Sequence, residues 1–167
     1  MKYEDAIVIA KRIKAELAPH CDRIEIAGSI RRKKPEVGDI EIVCIPKPYN
    51  VDLFESGIAT VINKWEKVKG ELPCKYTQRL LPDGTKVDIF TATRDNWGLI
   101  LAIRTGSAEF SHLVLCSNWA RKGYKSVKGY LTKVSTGKII PVREEEYLFD
   151  LIGIKYLLPE NRRLMDE

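Results

Sequence analysis

The chain has 167 residues, 44% hydrophobic and 31% charged, the balance of a globular protein with one core and room for a small second lobe. No apolar run is long enough to cross a bilayer, and the charged start MKYEDAIVIAKR is expected not to be a signal peptide. A net charge of +5 is compatible with a nucleic-acid partner without requiring one, and four scattered cysteines (Cys21, Cys44, Cys74, Cys116) argue against a zinc site and for a reducing cytoplasm.

Residues 3–18 place Ala6, Ile9, Ala10, Ile13 and Leu17 at helical spacing, and Pro19 stops the helix. Residues 23–27 alternate as a strand does until Gly28-Ser29 breaks the pattern. Residues 39–45 alternate again up to Pro46, with Cys44 as a small buried hydrophobe. Leu53, Phe54, Ile58, Val61, Ile62 and Trp65 predict a helix over 52–65. Strands over 74–81 and 86–92 are joined by the hairpin signal Pro82-Asp83-Gly84. Residues 1–93 thus form a mixed α/β unit, and residues 94–167 a smaller α+β lobe joined without a flexible linker.

In that lobe a helix over 95–104 opens at Asp95 as N-cap. Thr105-Gly106-Ser107 interrupts, and Ser107 caps a helix that runs to Gly123. Strands over 129–134 and 138–142 predict a hairpin across Ser135-Thr136-Gly137. Glu144, Glu145 and Glu146 open a last helix at the positive end of its dipole, and Gly153 closes it. Trp65, Trp97 and Trp119 lie in apolar helical stretches and are expected in the core. The fold class is α+β.

The chemistry concentrates in residues 28–41. On a strand, Asp39 and Glu41 point to one face while Ile40, Ile42 and Cys44 fill the other. Adjacent carboxylates repel, and a divalent cation such as magnesium would relieve them. Ordinary surface acids would give the same pattern. Before them, Gly28-Ser29 ends a strand and a basic run, Arg31 to Lys34, follows. Glycine permits close backbone approach, and a serine hydroxyl with an arginine can hold phosphate oxygens. A tight turn beside a solvated basic run is the alternative. Asp88, in the apolar strand KVDIF, is the candidate third acid, as a metal ligand or as general base for a hydroxyl. Lys64, Lys67, Lys69, Lys75, Arg79, Lys122, Lys125 and Lys128 could track DNA phosphates or simply form a solvated face.

Through AGSIRRKKPEVGDIEIV, KVDIF, RTGSAEF and EEEYLFDLIGIKYLLPENR, in that order, the chain resembles the family X DNA polymerases, the polymerase beta-like group of nucleotidyltransferases. The resemblance implies a nucleotidyltransferase palm, residues 1–93, and a thumb-like nucleotide-binding subdomain, residues 94–167. It covers the palm and C-terminal lobe only, as in the minimal, often viral, forms, which would place the protein in a host cytoplasm. It implies DNA polymerase activity in short-gap repair, with gapped or primer-template DNA and a dNTP as partners, by a monomer with no membrane role. Two magnesium ions, replaceable by manganese, would be held by Asp39, Glu41 and Asp88 as catalytic residues. Gly28, Ser29, Arg32, Gly38, Gly106 and Ser107 fall where the family binds the nucleotide.

The chain departs from the family pattern at several positions. Glu41 stands where aspartate is usual, and its extra methylene can move a metal-binding oxygen by about an ångström. Ile103 and Arg104 stand where two aromatics often pack near the sugar, which leaves open a template-independent or ribonucleotide-tolerant transferase. Ser111 and Leu115 replace polar residues that contact base and template. Glu41 also leaves open a DNA-binding module with a weakened site.

Overall fold

The computed structural model describes residues 1–48 and 57–163, and the chain divides into two compact units, Met1–Ala92 and Thr93–Glu167. The fold is α+β, a mixed five-stranded sheet with flanking helices plus a small two-stranded sheet.

The first unit begins with helix α1, Tyr3–Leu17, whose buried residues Ala6, Ala10, Ile13 and Leu17 repeat at helical spacing. Strands β1 (Cys21–Ile26), β2 (Ile40–Pro46), β3 (Glu66–Lys69), β4 (Tyr76–Leu80) and β5 (Lys86–Thr91) lie in the order β1-β2-β5-β4-β3. Only β2 and β5 run parallel; every other neighbouring pair is antiparallel. Helix α2, Gly28–Arg31, follows β1, and helix α3, Ala59–Ile62, precedes β3.

One sheet face carries Ile40, Ile42, Cys44, Val87 and Ile89, and these pack with α1, Ile58, Val61 and Ile62 into one core. Burying one such isoleucine contributes about 1.5–3 kcal/mol. A one-residue slip of β2 would exchange Ile40 and Ile42 for Asp39 and Glu41, so the core fixes which face the acids occupy. The turn between β4 and β5 is set by Gly84 at φ +87° and by the Thr85 N–H, which donates to the Asp83 carboxylate at 2.9 Å and holds that carboxyl below its usual range.

The second unit has its own core of Leu99, Ala102, Phe110, Leu115, Trp119, Leu131, Val142, Leu148, Phe149 and Ile152. Helix α4 spans Trp97–Thr105, a π-helical stretch spans Phe110–Cys116, and helix α5, Ser117–Arg121, continues it. Strands β6 (Tyr124–Val127) and β7 (Tyr130–Lys133) pair, and helix α6 spans Glu145–Leu151. The Ser107 hydroxyl accepts the Phe110 N–H at 3.2 Å, the expected cap of the helix that follows it. A buried ion pair closes the unit: Arg162 donates from Nη1 to Glu145 Oε1 at 2.7 Å and from Nη2 to Oε2 at 3.2 Å. Its guanidinium also lies 5.0 Å from the Phe149 ring centre and 5.4 Å from that of Tyr156.

Several expectations are corrected. The helix expected over 52–65 is helical only at Ala59–Ile62 among the described residues, and its start, with Leu53 and Phe54, lies outside them. The chain turns back at Ser135-Thr136-Gly137 as expected, with the Thr136 and Gly137 N–H groups donating to the Lys133 carbonyl at 3.3 and 2.8 Å, but β7 also forms an unanticipated hairpin with β6 that turns at Lys128-Gly129, both at positive φ. Two consecutive positive φ values match the sheet twist in a two-residue turn. The segment 138–142 pairs with β7 through the bridge Thr132–Ile139, with the Lys133 N–H donating to the Lys138 carbonyl and the Ile140 N–H to the Leu131 carbonyl, each at 2.8 Å. Asn96, not Asp95, is the N-cap position of α4; Asp95 accepts from Arg143 Nε at 3.2 Å instead. The strand Glu66–Lys69 was not anticipated. Trp97 and Trp119 are buried as expected, and Trp65 packs partly against the first core.

Candidate functional site

The parallel pairing of β2 and β5 sets Glu41 opposite Asp88, and the antiparallel pairing of β4 and β5 sets Gln78 opposite Asp88. Partners in register share a face, so Glu41, Asp88 and Gln78 form one row across the sheet. Asp39, two residues before Glu41 and immediately before β2, shares that face. Core packing on the opposite face leaves this row to polar residues.

Asp39 and Asp88 meet. Burial raises the Asp39 carboxyl above its usual range, and the neighbouring Asp88 charge and a hydrogen bond with Asp88 raise it further; Lys86 and the Asp39 backbone oppose the rise. Asp88 is only 7% exposed. Its Oδ1 accepts from the Tyr76 hydroxyl at 2.7 Å and from Gln78 Nε2 at 2.9 Å. The Tyr76 ring is held by stacking on Phe90, with centroids 4.9 Å apart.

Glu41 is placed differently. A Cβ built on Gly28 would overlap the Glu41 carboxylate, so that carboxylate lies directly against the Gly28 backbone. Gly28, at φ +60°, also occupies a conformation that disfavours other residues. The Ala27 N–H donates to the Glu41 carbonyl at 2.8 Å, which fixes the turn beside β2. The longer glutamate thus reaches Gly28 rather than joining the two aspartates. Among the described residues no group of three or more His, Cys, Asp or Glu side chains is arranged to hold a metal ion.

Asp39 and Asp88 nevertheless fit a hard divalent cation. Two partly desolvated carboxyls in contact repel when both are ionised, and a cation between them removes that cost. Magnesium commonly takes one or two carboxylates and completes its shell with water and phosphate.

Ser29 lies half-buried in α2, and Arg32 follows as its C-terminal cap residue. Gly38 is exposed, and a Cβ there would meet nothing within 4 Å, so the fold itself does not require a glycine. In the second unit Gly106, at φ +69°, is joined to Ser107 by a cis peptide. Ser107 is buried and its hydroxyl is engaged with the Phe110 N–H.

No family model matches the chain, and no curated protein matches it. No helix among the described residues is long and apolar enough to cross a membrane.

One sequence expectation changes at this level. Arg79 is 3% exposed and donates to Thr77 Oγ1 at 3.0 Å, so it does not belong to a phosphate-tracking surface. Leu115 is fully buried in the core of the second unit, and the Ser111 hydroxyl donates to the Ile103 carbonyl at 2.9 Å, so both are turned inward. Tyr76 and Gln78 were missed. Their alternation on one strand face was visible in YTQRL, but only the pairing with β5 aims both at Asp88.

Proposed function

We propose that the protein is a magnesium-dependent nucleotidyltransferase that adds a deoxynucleotide to a primer 3′-hydroxyl, filling short gaps in DNA. The observation that carries this reading is the meeting of Asp39 and Asp88 on one sheet face, with Glu41 in register beside them and the Gly28-Ser29 turn adjoining Glu41. Two carboxylates set near one another on one sheet face repel when both are ionised, and a bound cation relieves that repulsion.

In this reading the first unit is the palm and the second the thumb-like subdomain. The Ser29 hydroxyl and the Arg32 guanidinium bind the triphosphate, with Gly28 and Gly38 at its edge. Asp88 accepts the proton of the primer 3′-hydroxyl as its oxygen bonds to the α-phosphorus. The bond from that phosphorus to the bridging oxygen breaks, and pyrophosphate leaves. Magnesium, or manganese in its place, held by Asp39 and Asp88 would neutralise phosphate charge and lower the pKa of the hydroxyl.

Extension of a primer across a one-nucleotide gap, with each dNTP offered singly in magnesium, tests the reading. Only the complementary dNTP is incorporated, and Asp88→Asn abolishes it. Unchanged extension by Asp88→Asn sinks the assignment of the site.

A second reading, a DNA-binding module with a weakened site, is favoured by one observation: the Glu41 carboxylate lies against Gly28 instead of completing a three-carboxylate group. Calorimetry with dNTP and magnesium separates the two. Magnesium-dependent dNTP binding supports the enzyme, and its absence supports the module.

A further inference from the structure

We propose that Tyr76 and Gln78 are positioning residues for Asp88, fixing which of its oxygens faces a bound cation. This rests on the reading of Asp88 as a cation ligand. Both donors converge on one atom, Oδ1, at 2.7 and 2.9 Å. A carboxylate oxygen offers about two lone-pair directions, so two donors occupy Oδ1 and leave Oδ2 for the cation. The Tyr76 bond has the length of a charge-assisted one.

The convergence is built by the fold. Gln78 stands directly opposite Asp88 in the β4–β5 ladder, and Tyr76 stands opposite Phe90. Tyr76 therefore reaches Asp88 along the diagonal, with its ring flat on Phe90 at an interplanar angle of 16°. A carboxylate that is 7% exposed and doubly held cannot rotate freely. A cation then finds its oxygen already oriented, and the ordering cost is met during folding. Removing one donor frees the carboxylate to turn.

The test is direct binding of manganese to the full chain without substrate, read by electron paramagnetic resonance, alongside a manganese titration of gap filling. Tyr76→Phe keeps the ring on Phe90 and removes only the hydroxyl; Gln78→Leu removes the amide donor. Each variant is expected to melt close to the wild type and to bind manganese about tenfold more weakly. Each should recover gap filling at high manganese, whereas Asp88→Asn should lose manganese binding and not recover. Wild-type manganese affinity in both Tyr76→Phe and Gln78→Leu, with Asp88→Asn deficient, overturns the positioning role while leaving the site intact. Wild-type manganese binding by Asp88→Asn, or no binding by the wild type, overturns the cation reading itself and the positioning role with it.

Discussion

Gly28 and Glu41 occupy one another's space: the carboxylate of Glu41 lies where a Cβ on Gly28 would stand. The absent side chain at 28 makes room for the longer acid at 41, and the two positions are therefore coupled. Gly28→Ala meets two costs. Alanine at φ +60° costs about 1–2 kcal/mol, and the Glu41 carboxylate must move. In a Glu41→Ala background the second cost disappears. A double-mutant cycle by urea denaturation should show Gly28→Ala to be less destabilising there, by about 0.5 kcal/mol or more. Additive effects contradict the coupling.

The Asp39 carboxyl is raised by burial first and by Asp88 second. The native protein thus holds this proton more tightly than the unfolded chain does. Ionisation of Asp39 removes stability as pH rises through the raised native value, and below the unfolded value of about 3.9 no such loss exists. Asp39→Asn should therefore melt above the wild type at pH 7 in chelator. The difference should close as pH falls below the usual carboxylate range. A variant that melts below the wild type at neutral pH contradicts the sign.

Magnesium should reverse that cost. At ten times its dissociation constant a bound ion stabilises by about 1.4 kcal/mol. This corresponds to a rise of roughly 3–6 °C in the melting temperature of a domain this size. Calorimetric melts with and without magnesium should show the rise in the wild type and none in Asp88→Asn. Equal rises in both place the ion elsewhere.

Glu145 and Arg162 test the second unit. Their side chains are 3% and 0% exposed and doubly hydrogen-bonded. Removing one partner strands a buried charge and costs about 3–5 kcal/mol, whereas an apolar pair of similar volume can be neutral. Glu145→Ala should destabilise strongly, and Glu145→Met with Arg162→Leu should lose less than Glu145→Ala alone. Denaturant melts check this, and a double variant weaker than the single contradicts it.

These features were unequally legible in the sequence. The alternation of Asp39 and Glu41 with Ile40 and Ile42 fixes a strand and its two faces, because burial sorts residues with a period of two. Asp88 stood out as an acid among apolar neighbours. The strand Glu66–Lys69 did not, because it is an exposed edge strand with no buried face to pattern it. The link from Tyr76 and Gln78 to Asp88 depends on which strands pair and in what register. The Glu145–Arg162 pair is 17 residues apart and is set by packing, not by spacing. The lean of Glu41 toward Gly28 likewise follows from three-dimensional contact across a turn, not from the D-x-E pattern.

The central claim is transfer of a nucleotide to a primer hydroxyl by the carboxylates of this sheet face. Its most direct measurement follows label from an α-phosphate-labelled dNTP into the primer strand of a one-nucleotide gap, in magnesium, beside an identical gap whose primer lacks the 3′-hydroxyl. The account predicts label in the first primer only, with pyrophosphate released in equal amount, and none with Asp39→Asn or Asp88→Asn. No transfer by the wild type, or undiminished transfer by either variant, contradicts it.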